Sequence, residues 1–332
     1  MKILGIETSC DETGIAIYDS KKLLICNEIY SQIIIHKNFG GPVPELSSRD
    51  HIQKIIPLFL KTIKNSSIKI YDIIAISYTY GPGLSGSLMI GTSFAKSLSY
   101  KLKIPTIKIN HLEGHIFSSF INNKKPKFPF ISLIISGGHT MLIKIEKIGF
   151  YKILGETLDD STGEILDKIS KLLNLGYPGG KEIEKKSKKN INNYYNFPKP
   201  LTKNKNLNFS FSGLKTHIKN IINKTNLNKN IIENIAYSLQ ETIIDTLFIK
   251  CFRAIEFNKI NNLSISGGVS INKKLKIKFL QLIKKNKTNI FFPKNSLCTD
   301  NGGMISFVGY QKFIMNNLDN NNKININTKI KI

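Results

Sequence analysis

Arginine is almost absent from this 332-residue chain, with only Arg49 and Arg253 among 48 basic residues. The formal charge of +25 therefore rests on lysine, in a sequence crowded with asparagine and isoleucine. These three residue types share A/T-rich codons, so drift in an AT-rich genome can supply part of the excess. A face built on bidentate phosphate contacts would retain arginine, whereas lysine alone still gives a basic surface a general attraction for polyanions. Both origins of the charge remain open on composition. Cysteine is scarce too: Cys10, Cys26, Cys251 and Cys298 lie far apart without a C-x-x-C pair. That argues against a disulfide framework or a zinc knuckle. No apolar run approaches the ~20 residues that cross a bilayer. The start, MKILGIETSCDET, reaches acidic residues too early for a signal peptide and lacks the arginines of a transit peptide. A cytoplasmic protein with no membrane partner is expected. Its 41% hydrophobic content over this length predicts a large core and two domains.

Histidine is rare as well, with six in the chain, yet two fall in HLEGH as His111 and His115. On a helix, residues four apart lie on one side about a turn apart, so both imidazoles can reach one metal ion. In the zinc-protease motif H-E-x-x-H the acid follows the first histidine directly and acts as base. Here the acid is Glu113, roughly 200° around the helix from His111 at about 100° per residue. The pattern predicts a metal site without a protease base.

Residues 2–7 (KILGIE) and 14–19 (GIAIYD) read as strands joined by the polar turn TSCDET. PFISLIISGGHTMLIKIE, at 129–146, repeats the plan of strand, small-residue turn and strand. LSISGGVS, at 263–270, is a third strand-to-glycine junction and leads into a lysine-rich helical run. Two such hairpins, each followed by mixed α/β sequence, predict an internal duplication. Residues 71–102 read as strand, glycine-rich turn GPGLSGS and helix, with turn N–H groups available to an anion. The Lys/Asn-rich stretch 181–206 reads as a solvated insertion, and the tail from Asn316 as low-complexity and disordered.

The order of these pieces resembles one family. GIETSCDETGIAIYD, GGPVPELSSRDH, TYGPGLSGSLMIG, HLEGH, ISGGHT, GETLDDSTGEILDK, LGYPGG, FSFSGLKT, SGGVSIN and CTDNGGMI look like the tRNA N6-adenosine threonylcarbamoyltransferases, formerly called O-sialoglycoprotein endopeptidases. The likeness runs from residue 1 to about 310 with almost no shift in spacing. It implies the duplicated actin-like ATPase, sugar kinase and Hsp70 fold, an α/β architecture with two domains around a cleft. The domains expected are 1–130 with about 300–332, and 131–299. Met141 stands where the family usually has Gln, and Lys181 where it usually has Pro.

The implied reaction moves a threonylcarbamoyl group from threonylcarbamoyl-AMP to N6 of the adenosine just 3′ of the anticodon, in tRNAs reading codons that begin with A. This is acyl transfer from a mixed anhydride with a good leaving group to a weakly basic amine. Orientation and carbonyl polarisation then matter more than an enzyme nucleophile. By resemblance His111, His115 and Asp300 ligate one divalent metal, usually iron(II) in bacterial members, though the set also suits zinc. Read alone, Asp300 is a turn residue before Asn301-Gly302. Ile134, Ile135, Ser136, Gly137, Gly138, Asp167, Gly180 and Asn272 match positions that contact the intermediate. For Asp167 the alternative is an exposed acid paired with a helix lysine. Asp11 and Glu12 are candidates for orienting the amine or helping proton loss, against a reading as a solvated turn. His139 either polarises the carbonyl or holds the SGG turn. Implied partners are tRNA, a non-catalytic paralogue and a small P-loop ATPase; mitochondrial members act as homodimers. Arg253 and the lysines at 273–278 and 284–287 are candidate RNA contacts. The competing readings are an ATP-dependent kinase or ATPase of the same fold, which leaves HLEGH unexplained, and a non-catalytic scaffold.

Overall fold

In the computed structural model, residues 1–121, 125–188, 194–286, 288–319 and 323–332 are described, with the side chains of 282–286 outside that description. From the N-terminus run β1 (Lys2–Glu7), β2 (Glu12–Asp19), β3 (Leu23–Ser31), α1 (Ile33–His36), α2 (Pro44–Ser66), β4 (Ile73–Gly81), α3 (Ser85–Leu102), β5 (Thr106–Asn110) and α4 (His111–Phe117). There follow β6 (Phe130–Ile135), β7 (Thr140–Lys147), β8 (Phe150–Glu156), α5 (Thr162–Leu172), α6 (Gly179–Ser187), α7 (Ser212–Lys224) and α8 (Lys229–Asn258). The chain continues through β9 (Asn262–Ser266), α9 (Lys273–Asn286), β10 (Asn289–Phe291) and α10 (Gly302–Ile314). Contacts divide it into two units, Met1–Asn123 with Pro293–Ile332, and Lys124–Phe292.

Each unit is built on a five-stranded sheet, and the two sheets share one plan. The first has the order β3-β2-β1-β4-β5, with β1, β2 and β3 antiparallel and β4 and β5 parallel to β1. The second, β8-β7-β6-β9-β10, repeats every sense of pairing. The duplication expected from the two hairpins is present. Central strands β1 and β6 are covered on both faces, which explains why they read as nearly unbroken apolar runs.

In the first unit, alternation along β1 sends Leu4 and Ile6 to a core shared with Ile55, Leu58 and Phe59 of α2 and Ala95 of α3. The opposite face, with Ile3 and Gly5, receives α10. The approach is so close that a Cβ on Gly5 would lie 2.3 Å from the Gly302 carbonyl oxygen and 2.5 Å from Ser306 N. Both neighbours are backbone, so the helix itself must move to make room. Gly5→Ala is expected to destabilise the protein by about 1–3 kcal/mol, the usual cost of overpacking. Urea denaturation measures it, and an unchanged midpoint would show that α10 is loosely seated.

Two expectations fail. The tail is not loose: Asp319 pairs with Thr106 as a β-bridge, and its carboxylate meets Lys96 at 2.8 Å and Lys108 at 3.3 Å. Farther on, Asn327 N donates to the Tyr80 carbonyl at 2.8 Å, and Asn110 Nδ2 to that of Lys331 at 3.2 Å. Residues 320–322 lie outside the described residues. Nor is 181–206 simply a solvated insertion. It opens on α6, whose Ile183 is buried, and it buries Phe197 beneath a stacked Tyr195. Lys250 on α8, fully buried, donates to the carbonyls of Leu201 and Asn206 at 2.7 Å each. Arg253 donates to the carbonyls of Thr202 and Asn204. Residues 189–193 of that stretch are outside the described residues. In both places a few specific polar anchors offset a composition that reads as solvated.

Candidate functional site

HLEGH forms α4, as its spacing predicts. Asn110 caps the helix by accepting from Leu112 N at 2.9 Å, and all seven residues of α4 are buried. Gly114 lets the helix lie close to α10, since a Cβ there would be 3.0 Å from Met304 Cγ. Asn301 caps α10 through Met304 N, which sets Asp300 one residue before the cap. Packing of α4 on α10 thus brings together residues 185 positions apart.

His115 Nε2 lies 3.0 Å from Asp300 Oδ1, and His111 Nε2 lies 3.5 Å from the same atom. The three potential ligand atoms fall within 4.8 Å of one another. An ion bound at ~2.0–2.2 Å by imidazole and carboxylate needs donors at about this spacing. The surroundings also suit a cation. Burial opposes charge on His111, yet the carboxylates of Asp300 and Glu7 outweigh it and raise its pKa to about 9. His115 Nδ1 is buried and has no hydrogen-bond partner among the described residues. Two imidazoles and one carboxylate converge where positive charge is favoured, and such a set fits iron(II) or zinc. Glu113 does not contribute: its carboxylate meets Lys312 at 2.7 Å.

Asp11 and Glu12 belong to the same neighbourhood rather than to a solvated turn. Asp11 is buried, and its charge acts on the neighbouring Glu12 carboxyl. Burial, and after it the charges of Asp11 and Asp300, push the Glu12 carboxyl well above the usual carboxylate range. Burial and the same acids raise the Cys10 thiol. Glu7, absent from the sequence reading, is fully buried and lies 3.1 Å from His111 Nδ1. Its only signal in the sequence is a charge closing an apolar strand.

The glycine-rich turn before α3 differs from expectation. Leu84 N donates to the Ser9 carbonyl at 2.8 Å and Gly83 N to that of Thr328 at 3.4 Å, so two of its N–H groups are already engaged. Its glycines serve packing: a Cβ on Gly83 would lie 2.5 Å from Ser9 O.

The other candidates lie in the second unit, connected by α5. Ser161 and Glu164 close a capping box at its start. Ser161 Oγ donates to the Gly137 carbonyl at 2.5 Å, and Gly163 N to that of Ser136 at 3.2 Å. About a turn along, Asp167 Oδ1 accepts Gly179 N at 2.6 Å, which ties the YPGG turn to α5. Asp167 is therefore not an exposed acid paired only with a lysine. Gly180 and Asn272 line one small cavity with Leu166, Gln240, Val269 and Leu275. Asn272 also caps α9 through Leu275 N and donates to Gln240 Oε1 at 2.8 Å. Ile134 and Ile135 are fully buried and paired in the sheet. The exposed part of their motif is Gly137–Gly138, where an added Cβ meets none of the described residues within 4 Å. His139 closes that turn through its backbone, donating to Ser136 Oγ and accepting from Ser136 N.

Of the candidate RNA contacts, Lys274 pairs with Glu241 at 3.0 Å and Lys278 with Asp245 at 2.6 Å. Arg253 holds the loop described above. In the 284–287 cluster, residue 287 and the side chains of 284 and 285 lie outside the described residues.

The family model for TsaD, tRNA N6-adenosine threonylcarbamoyltransferase, matches residues 23–307. The chain belongs to this family. As a member of the tRNA N6-adenosine threonylcarbamoyltransferases it is a tRNA-modifying transferase. Its fold is shared more widely. HypF of T. kodakarensis is similar with a TM-score of 0.62 at 15% identity, over 97% of this chain and 48% of that one. A full-length HypF in its phosphate- and nucleotide-bound form gives 0.62 at 13%, over 94% of this chain and 55% of that one. Component A of Acidaminococcus fermentans (R)-2-hydroxyglutaryl-CoA dehydratase gives 0.55 at 12%, over 94% and 98%. These likenesses establish the actin-like ATPase fold that the family resemblance implied. No helix among the described residues is long and apolar enough to cross a membrane.

Proposed function

We propose that this chain transfers the threonylcarbamoyl group of threonylcarbamoyl-AMP to N6 of the adenosine just 3′ of the anticodon, in tRNAs reading codons that begin with A, releasing AMP. The observation that carries this reading is the convergence of His111, His115 and Asp300 in a chain of this family. A kinase or ATPase of the same fold needs only Mg²⁺, which prefers oxygen ligands, and leaves the two imidazoles without a purpose.

His111, His115 and Asp300 hold one divalent ion, iron(II) by family resemblance, with zinc suited to the same set. When bound, it supplies a Lewis acid and a template for substrate oxygens. Gly137 and Gly138 offer an exposed backbone that a phosphoryl group can approach closely. Among the described residues nothing lies within 4 Å of a Cβ added to either glycine, so a ligand can approach their backbone. Gly180 is similar: among the described residues only Leu166 Cδ1 comes within 4 Å of an added Cβ, at 3.6 Å. Asp167 reads the ribose while fixing the turn that carries Gly180. Asn272 borders the same cavity, its carbonyl oxygen already capping α9. Glu12, driven toward its neutral form, can hold a proton. Asp11 beside it is placed to orient the attacking amine or take its proton. A non-catalytic paralogue and a small P-loop ATPase are the proposed partners, with a homodimer as the alternative assembly.

Asp167→Asn keeps the acceptor for Gly179 N but replaces a second acceptor with a donor. Binding of a stable analogue of the intermediate should weaken by ~1.5–3 kcal/mol, the worth of a hydrogen bond to a charged group. Equal binding by calorimetry would make Asp167 purely a turn residue. The proposed function itself is tested by reconstitution from tRNA, threonine, bicarbonate and ATP, adding a separate synthase that makes threonylcarbamoyl-AMP and then each partner in turn.

A further inference from the structure

We propose that Glu7 sets the tautomer of His111 and so aims its Nε2 lone pair at the metal, an inference that rests on the ligand reading above. Glu7 ends β1 and is fully buried. Its Oε1 accepts Ser9 N at 2.6 Å; its Oε2 accepts the Thr79 hydroxyl at 2.6 Å and lies 3.1 Å from His111 Nδ1. An ionised carboxylate offers only lone pairs, so the hydrogen in the contact with Nδ1 belongs to the imidazole. An imidazole that ligates a metal is neutral and carries one N–H, so with that hydrogen on Nδ1 it is Nε2 that is bare for the ion. Nε2 is the nitrogen on the Asp300 side. Ser9 Oγ, also 3.1 Å from Nδ1, can donate or accept and therefore fixes neither tautomer. Glu7 is thus a positioning residue in a carboxylate–imidazole–metal arrangement.

The surrounding bonds make Glu7→Gln a sharp probe. Ser9 N is a backbone donor that cannot reverse, so the glutamine carbonyl oxygen must face it. The amide NH₂ then faces Thr79 and His111. Thr79 can rotate its hydroxyl to accept, but Nδ1 can accept only by giving up its hydrogen. The proton moves to Nε2, where it occupies the lone pair the metal needs. Thr79→Val is the comparison, because it removes one donor from Oε2 and leaves the Glu7–His111 contact in place.

The test titrates the purified full chain with Zn²⁺ against a competing chelator, for wild type and both variants. It also records the imidazole ¹⁵N spectrum of the zinc-loaded wild type. Affinity should fall ~10–100-fold in Glu7→Gln and by less than about 3-fold in Thr79→Val. The spectrum should show His111 bound through Nε2 with hydrogen on Nδ1. Wild-type affinity in Glu7→Gln, equal losses in the two variants, or coordination through Nδ1 overturns the inference and leaves the ligand reading intact. A wild-type protein that binds neither zinc nor iron(II) overturns both. If Glu7→Gln does not fold, the wild-type spectrum decides alone.

Discussion

Replacing His111 and His115 together with alanine should strip the purified protein of its metal, lowering affinity ~10-fold at the least and well beyond the loss expected for a supporting residue. Two of three proposed ligands disappear, and Asp300 alone cannot hold a transition metal against water. The helix should survive, because alanine is the best helix former and α4 is capped by Asn110 rather than by either histidine. Elemental analysis after dialysis, beside a far-ultraviolet spectrum to establish folding, reads the outcome. Undiminished metal in a folded double variant would remove the basis for the site.

The second large effect is expected in the C-terminal tail. Asp319→Ala should destabilise the protein by about 3 kcal/mol, the low end for breaking a buried ion pair. Lys96 is 7% exposed and Asp319 10%, so little water can replace the lost partner. Thr106 Oγ1, at 2.8 Å, remains to Lys96 and limits the loss. Burial alone would raise the Asp319 pKa, but Lys96, the Tyr78 hydroxyl and Lys108 outweigh it and hold the carboxyl below its ordinary value. A carboxyl depressed in the folded state stabilises above its unfolded pKa of ~3.9, and that contribution is lost as pH falls through the folded value. The gap between wild type and variant in urea denaturation should be full at pH 7 and close below about pH 4. A gap independent of pH would mean that the tail is held by its backbone bonds instead.

What the sequence made legible follows from the range of the signals. Hairpins such as KILGIE–TSCDET–GIAIYD announce themselves through local alternation, and both proved to seed sheets of one plan. The i, i+4 histidines are likewise local. Asp300 is different: spacing alone left it a turn residue, and only the family resemblance assigned it. The structure supplies the physical reason, which is α10 packing against α4 through Gly114 and Met304. Glu7 stayed hidden because Thr79 and His111, which meet its carboxylate, come from distant segments. The tail misled because Asn/Lys/Ile composition says nothing of one aspartate met by two lysines. Glycines misled in both directions. Gly83 looked like an anion cradle and is a packing contact, whereas Gly137 and Gly138 face open space. The lysine excess is partly neutralised, as Lys274 and Lys278 show.

The most direct measurement supplies threonylcarbamoyl-AMP to the metal-loaded chain with its partners and a tRNA transcript, then quantifies AMP and the digested nucleosides by mass spectrometry. The account predicts N6-threonylcarbamoyladenosine and AMP formed in equal amounts. It predicts no modified nucleoside when the adenosine just 3′ of the anticodon is replaced by guanosine, and none with the His111→Ala, His115→Ala variant. Undiminished transfer by that variant, or modification of the guanosine-bearing transcript at another adenosine, would contradict it.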